Sequence, residues 1–334
     1  MTNLIFDDII PRNSNLTLGE YKMKFMVFAD FHYAPGWMSG HALGRNEKDL
    51  RTLQKIAMEE SCDFIIHGGD FTHGPLQNTA HLIEEYNSFK IPSYHCLGNH
   101  ETDQESVESV LSAYGLSEGY YYFDCNGYRI IVLDSNYYCI DGKYSHYSSD
   151  YTRGTFCGDL SCRDFFNPEE VSWLEETIRT SPYPCITISH QGFGREAHGV
   201  GNQEEVRRII LEANKRKKHS VILCMNGHNH CDHLRIIDSV LYFEVNSASG
   251  YAIPKSHSHY PKEETDDATW MTNMLAYDSP LYAIVTVEGS TVDIRGTETT
   301  LHRGVTIDMT DSPKYEKMGR VCEPMIRSAK ITIW

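Results

Sequence analysis

No stretch of this chain approaches the roughly 20 consecutive apolar residues needed to cross a bilayer, and its ten cysteines include no CxxC pair. The first absence argues against a membrane span. The second, with cysteines scattered singly from Cys62 to Cys322, argues against a Cys-rich zinc site and for reduced, mostly buried thiols. Met1 to Pro11 lacks a basic segment followed by an apolar one, so it does not read as a secretory signal, and a cytoplasmic protein is expected. Positive charge is scarce: 30 Lys and Arg stand against 46 Asp and Glu, a formal net charge of -16. Polyanion binding rests on Lys and Arg neutralising phosphates, so this balance argues against a nucleic-acid partner and fits a chain kept in solution by its acidity. Internal repeats and clear linkers are absent. With 334 residues and 40% apolar content, the chain can bury a sizeable core as one α/β domain. We expect that single domain over 1–334, with a core at about 24–295, an N-terminal arm over 1–23 and a C-terminal extension over 296–334.

Histidine is what the chain has in quantity, 17 in all, several of them beside Gly or Asp where apolar runs end. Lys24 to Ala29 reads as a buried strand and stops at Asp30-Phe31-His32. Leu50, Leu53, Ile56 and Ala57 recur at helical spacing, which predicts a helix over Glu47 to Glu60. Asp63 to His67 is the next strand, ending at Gly68-Gly69-Asp70, and a helix from about Leu76 to Phe89 leads to Ile91–Leu97 and Gly98-Asn99-His100-Glu101. This β-α-β-α-β order implies a parallel sheet with right-handed crossovers.

Ser106 to Tyr114 reads as a short helix, and Asn126-Gly127 is a strong hairpin signal between Tyr120–Asp124 and Tyr128–Asp134. Asn167-Pro168-Glu169-Glu170 opens a helix with a capping Asn and Pro at the first helical position, burying Val171, Leu174 and Ile178. Pro184 to Ser189 is a strand that ends at His190. A helix from Asn202 buries Val206, Ile209, Ile210 and Ala213; its basic tail, Lys215 to Lys218, complements the helix dipole. His219 to Met225 is a strand ending at Asn226-Gly227-His228-Asn229-His230. Leu234–Ile237, Leu241–Val245, Leu281–Val287 and Thr291–Ile294 read as an antiparallel run. Residues 141–167 show no period and read as an aromatic-rich cover, 252–276 as a polar insertion, and the chain from about Thr300 as an extended surface tail.

Five strands thus end in side chains able to bind metal: Asp30 and His32; Asp70; Asn99 and His100; His190; His228 and His230. Ligands of open α/β sheets gather beyond the carboxyl ends of strands, so the five ends can converge. Singly, each has a plainer reading, an Asp as a helix cap or a His as a satisfied structural residue. Together and in order, each just past an apolar run, they form a joint signal. Mixed imidazole and oxygen donors suit Mn²⁺, Fe²⁺, Zn²⁺ or Co²⁺ without choosing among them.

Asp30-Phe31-His32, Gly69-Asp70, Gly98-Asn99-His100-Glu101, His190 and Gly227-His228-Asn229-His230 make the sequence resemble the calcineurin-like metallophosphoesterase superfamily over about residues 24–250. The resemblance implies a four-layer α/β/β/α sandwich with two mixed sheets and a dinuclear metal centre at the strand ends. It implies that Asp30, His32 and His230 hold one divalent ion and that Asn99, His190 and His228 hold the other. Asp70 would bridge them, and His100 would stay off the metals near the substrate phosphate. Two cations ~3.5–4 Å apart can hold a shared water as hydroxide for in-line attack at phosphorus. In that scheme His100 protonates the leaving alkoxide or stabilises the transition state, worth roughly 10²–10⁴-fold. The implied activity is metal-dependent hydrolysis of a small phosphomonoester or phosphodiester. A phosphodiesterase of cyclic nucleotides or nucleotide-like diesters is the alternative. A metal-binding scaffold of the same fold is the non-enzymatic alternative, and the intact ligand set argues against it.

One departure narrows the family. Purple acid phosphatases carry Gly-Asp-x-x-Tyr, with the Tyr on ferric iron; His73 stands there in this chain, which argues against a tyrosinate–iron site. His73 either orients a ligand through its ring N–H or is plain loop. Asn246 to Gly250 looks like a region that follows the Gly-His-x-His block in bacterial members. In the long loop, His146, Tyr147 and Arg153 are candidates to touch a phosphate or base, against the plainer reading of a solvated loop. Glu101 either orients His100 or caps the following helix.

Overall fold

The computed structural model describes residues 21–33, 45–102, 105–147, 160–194, 198–265, 269–312, 316–317, 320–321 and 323–333. Residues 1–20 of the expected arm lie outside these, as do Arg153, Cys157 and Cys322. Strand β1, Lys22–Phe28, shows how the layers arise from the sequence. Phe25 and Val27 point into a core shared with Phe64, Ile66, Ile130, Val132, Ile186, Ile188, Leu241 and Phe243. Met26 and Phe28 point the other way, onto Leu50, Leu53, Ala57, Leu82 and Ile83 of α1 (Asn46–Glu59) and α2 (Leu76–Asn87). A strand covered on both faces reads as an unbroken apolar run, not as alternation.

β2 (Phe64–His67) and β3 (Ser93–His95) extend this sheet in parallel, with Phe25 opposite Phe64 and the two rings stacked at 4.9 Å. A single turn, α3 (Asn99–Thr102), and α4 (Val107–Tyr114) follow. Ser106 Oγ caps α4 by accepting the Ser109 N–H, and Gly115 ends it at φ 71°, a left-handed turn that glycine adopts without strain.

The second sheet starts with β4 (Tyr121–Cys125) and β5 (Tyr128–Val132). Between them Asn126 and Gly127 take φ of 44° and 80°, as a two-residue hairpin of this kind requires. A small ribbon, β6 (Tyr137–Ile140) and β7 (Lys143–His146), turns at Asp141-Gly142 in the same way, with φ of 51° and 75°. The stretch read as patternless from residue 141 therefore opens on a hairpin. Asn167 Oδ1 accepts the Glu170 N–H at 2.9 Å and starts α5 (Pro168–Thr180). After it come β8 (Cys185–Ser189), α6 (Gln203–Arg216), β9 (Val221–Asn226), β10 (His233–Ile237) and β11 (Val240–Glu244). The strand order is β10-β11-β9-β8-β5-β4. Val171, Leu174 and Ile178 of α5 and Val206, Ile209 and Ile210 of α6 cover its outer face against Ile131 and Leu133.

The chain then passes through β12 (Gly250–Ala252), α7 (Lys262–Thr265) and β13 (Met274–Ala276), where β12 and β13 pair. It returns to the first sheet with β14 (Ala283–Glu288) and β15 (Thr291–Gly296). Beyond a two-residue ribbon, β16 (Glu316–Lys317) with β17 (Arg320–Val321), the edge strand β18 (Ala329–Thr332) completes the order β18-β15-β14-β1-β2-β3. Both sheets are mixed, and the layers run helix, sheet, sheet, helix, as the resemblance implied.

Two readings are corrected. The four strands taken as one antiparallel run belong to different sheets, β10–β11 to the second and β14–β15 to the first; each hairpin looks the same locally, and only its buried face decides where it docks. Residues 252–276, read as a polar insertion, contribute to the core as well. Ile253, Tyr260, Met271 and Leu275 sit in the core between the sheets. Of the cysteines among the described residues, eight are free, with Cys96, Cys185, Cys224 and Cys231 buried. No helix among those residues is long and apolar enough to cross a membrane.

Candidate metal centre

β1, β2 and β3 of the first sheet and β8 and β9 of the second all end on one side of the molecule, and small residues let these ends meet. A Cβ on Gly227 would lie 2.9 Å from both Ala29 Cβ and Gly68 O and 2.7 Å from Asp30 Oδ2. Only a hydrogen fits there. Gly69, at φ 88°, lies against the His190 imidazole, which any Cβ would overlap. The backbone at this end is strained as well. Asp30, His32, Asp70, His228 and His230 all have left-handed φ, between 50° and 71°. Such a conformation costs a non-glycine residue roughly 1–2 kcal/mol, and it persists at positions the surroundings over-determine, which cluster at functional sites.

These five residues and His190 converge as two trios. In one, His230 Nε2 lies 3.1 Å from Asp30 Oδ1 and 3.1 Å from His32 Nε2. In the other, His190 Nε2 lies 3.0 Å from Asp70 Oδ2 and 3.2 Å from His228 Nδ1. Asp70 Oδ2 is also 3.8 Å from His32 Nε2, so this carboxylate stands between the trios. Asn99 is buried at the start of α3, with Oδ1 3.4 Å from Nε2 of Gln191, the neighbour of His190. Every residue singled out as a ligand from the sequence thus lies at this end of the fold.

The donors suit cations. His230 Nδ1–H donates to Gly250 O at 2.9 Å and His190 Nδ1–H donates to Gly68 O at 2.8 Å. A carbonyl only accepts, so in both rings Nδ1 carries a proton and Nε2 is the nitrogen turned into the centre, the atom a cation would take. At His230 that nitrogen faces a second imidazole nitrogen and a carboxylate. Asp30 Oδ1 and His32 Nδ1 are buried without a hydrogen-bond partner. Metal–ligand bonds of about 2.0–2.2 Å place adjacent donors about 3 Å apart, the spacing found here. Electrostatics agree: burial works against a charged His190, yet the carboxylates of Asp70 and Asp30 raise its imidazole to about 10. The centre favours positive charge, and the residues present fit two divalent ions.

His100 differs from these. Its backbone N–H donates to Asp70 Oδ1 at 2.9 Å, but its Nε2 is 3.9 Å from Asp70 Oδ2 and its side chain is 27% exposed, against 0% for His190 and 3% for His32. It lies at the rim, stacked on His73 at 3.8 Å between ring centroids, with planes 17° apart. His73 is therefore part of the site's edge, packed on the face of His100.

Glu101 does more than either role read for it. Its Oε2 accepts the Gly98 N–H at 2.7 Å and the Asp70 N–H at 3.1 Å, and its Oε1 accepts the Thr72 N–H at 2.9 Å. The first bond is the returning half of a capping box on α3; the other two tie the loop after β2 to the turn after β3. Burial, reinforced by the charge of Asp70, lifts the Glu101 carboxyl to about 7. Beneath it, His67 Nε2 meets His95 Nδ1 at 2.7 Å and His95 Nε2 meets Asn87 Oδ1 at 2.6 Å. Ser247 and Ser249 hydroxyls both donate to Asp30 O, at 3.0 and 3.1 Å, which accounts for the segment after β11. Sequence reading missed Gln191 and this buried His pair. Gln191 carries one signal, its place directly after His190. His146 and Tyr147 are not surface contacts: His146 Nε2 pairs with Asp134 Oδ2 at 3.0 Å, and the Tyr147 hydroxyl donates to Asp164 Oδ1 at 2.5 Å.

Two His/Asp trios joined by one carboxylate, at the strand ends of a four-layer sandwich, define a metal-dependent phosphoesterase. The chain belongs to the calcineurin-like phosphoesterase family, whose sequence model matches residues 23–232, and is a hydrolase of phosphoric ester bonds. Among solved structures it is similar to a dimetal phosphatase from Danio rerio, at 16% identity and a TM-score of 0.59, over 84% of this chain and 98% of that one. It is also similar to GAP50, the anchor in the inner membrane complex of Plasmodium, at 11% identity and a TM-score of 0.52, over 94% and 90% of the two chains. Such likenesses establish the fold. No curated protein matches the sequence.

Proposed function

We propose that this protein hydrolyses a small phosphorylated substrate at the strand-end cluster, using two divalent ions. Asp30, His32 and His230 would hold one, Asn99, His190 and His228 the other, and Asp70 both. The observation that carries the reading is the pair of trios that meet at Asp70, with neighbouring donors within each 3.0–3.2 Å apart. Bound there, the ions would supply Lewis acidity to a water and to the phosphoryl oxygens. The rest falls to the chain. Gly68 O and Gly250 O hold two imidazoles by Nδ1–H, so that Nε2 points inward. Glu101 keeps Asp70 in place through its backbone N–H. His100, partly exposed at the rim and braced by His73, carries a proton on its ring to the leaving oxygen of the substrate.

The test is a panel of monoester, diester and pyrophosphate substrates, run with Mn²⁺, Fe²⁺, Zn²⁺ and Co²⁺ in turn on metal-stripped protein. Turnover that needs added metal and fails in Asp70→Asn supports the proposal. Preference for cyclic or nucleotide-type diesters over monoesters would assign the protein as a phosphodiesterase. Two ions bound without turnover of any substrate would overturn hydrolysis in favour of a metal-binding scaffold.

A further inference from the structure

We propose that Gln191 is a positioning residue that dictates which end of the Asn99 amide faces the metal centre. The inference rests on the reading of Asn99 as a metal ligand given above. The two ends of a carboxamide have nearly the same shape, so in a dry site its partners set the orientation. The partners can be followed here one at a time. Asn136 Nδ2 lies 3.1 Å from Leu97 O and 2.8 Å from Asp134 Oδ1, both acceptors, so the Asn136 Oδ1 is the end left for Gln191. Asp164 N–H donates to the Tyr147 hydroxyl at 2.7 Å, which sends the hydroxyl proton to Asp164 Oδ1; that oxygen too is an acceptor. Ser135 Oγ–H donates to Gln191 Oε1.

Gln191 Nε2 therefore faces three oxygens: Asp164 Oδ1 at 3.0 Å, Asn99 Oδ1 at 3.4 Å and Asn136 Oδ1 at 3.5 Å. One amide proton goes to Asp164, and the other lies between the two Asn oxygens. With Asp164 and Asn136 fixed as acceptors, Gln191 cannot turn over, and Asn99 must present oxygen to it. A carbonyl oxygen has two lone pairs, one for Gln191 and one for a cation. Turned the other way, Asn99 would offer an NH₂ group, which ligates nothing.

Gln191→Glu keeps the shape and replaces the donor with an acceptor. Facing a carboxylate, the Asn99 amide turns over. In calorimetric titration of the metal-stripped protein with Mn²⁺, we expect one of two binding events to weaken 10- to 100-fold, the usual effect of losing an outer partner, and the other to stay. In an Asn99→Ala background the same change should weaken binding no further; a merely structural role would weaken it equally in both. If Gln191→Glu does not fold, Gln191→Met, which removes the donor without adding charge, carries the same pair of comparisons. Two Mn²⁺ bound alike by wild type and the Gln191 variants would overturn the role of Gln191 alone. Fewer than two bound by the wild type would overturn the metal reading and this inference with it.

Discussion

Glu101→Gln exchanges one oxygen for an NH₂ group at the point where two loops of the metal centre are fastened together. The carboxylate has two unequal sides. Oε2 receives two backbone N–H groups, from Gly98 and Asp70, while Oε1 receives the Thr72 N–H and, at 3.5 Å, the Tyr114 hydroxyl. The new NH₂ will settle on the Oε1 side, because a hydroxyl can reverse and accept whereas a backbone N–H cannot. Thr72 N–H is then stranded against a donor, and a buried unsatisfied donor costs about 1–3 kcal/mol. Glu101→Ala strands three such groups and costs roughly three times as much, comparable with the roughly 5–15 kcal/mol that holds a typical domain folded. We therefore expect Glu101→Gln to fold with a lowered urea midpoint at unchanged slope, and Glu101→Ala to accumulate no native protein. Mn²⁺ should also bind the Gln variant more weakly, since Asp70 hangs on the same carboxylate. An Ala variant as stable as wild type would mean that water satisfies the three N–H groups and that Glu101 fastens nothing.

Asp70→Asn should lose both metal binding and hydrolysis of an aryl phosphate, and full activity in that variant would end the dinuclear reading. His100→Ala should lose roughly 10²–10⁴-fold in kcat while still binding two ions; loss of an ion would instead place the ring among the ligands. Gly69→Ala should abolish metal binding by displacing the His190 imidazole, whereas Gly74→Ala, also at positive φ (116°) but with nothing within 4 Å of the new methyl, should keep it; equal binding by both variants would refute the steric argument. Burial pushes His95 down to about 3, against about 6.5 in an unfolded chain. Between those values the unfolded chain holds a proton that the folded one refuses, so stability is complete above pH 6.5 and falls as pH drops, by about 1.4 kcal/mol per unit for this one group. His95→Phe should flatten the urea-midpoint profile between pH 7 and 5 by that slope, and an unchanged profile would refute it.

The parts of the fold visible in the sequence were those written locally. Strand β1 announces itself because both its faces are buried, and each metal-capable residue stands just beyond such a run, so that five of them in order form a pattern no single turn residue would. Asn167 and the Asn126-Gly127 turn were legible for the same reason, their chemistry being complete within four residues. Asp141-Gly142 was equally legible but hidden among Tyr and Ser that gave no strand period. Other features had no local trace. Whether β10–β11 or β14–β15 joins a given sheet depends on partners far along the chain, and Tyr260 and Met271 become core residues only when β12 meets β13. Glu101 and Gln191 are acidic and polar residues like any others until the fold sets Asp70 and Asn99 beside them.

The candidate ligands are divided between the two sheets in a way that bears on how the protein comes into being. Each trio is mixed: Asp30 and His32 from the first sheet need His230 from the second, and Asp70 needs His190 and His228. Residues 30–99 emerge from the ribosome well before residues 190–230, so a partly synthesised chain carries two members of one trio and one of the other and completes neither. With these ligands, cation capture would wait for the sheets to close along the seam at Ala29, Gly68 and Gly227, and hydrolytic capacity would be withheld until the whole sandwich had formed.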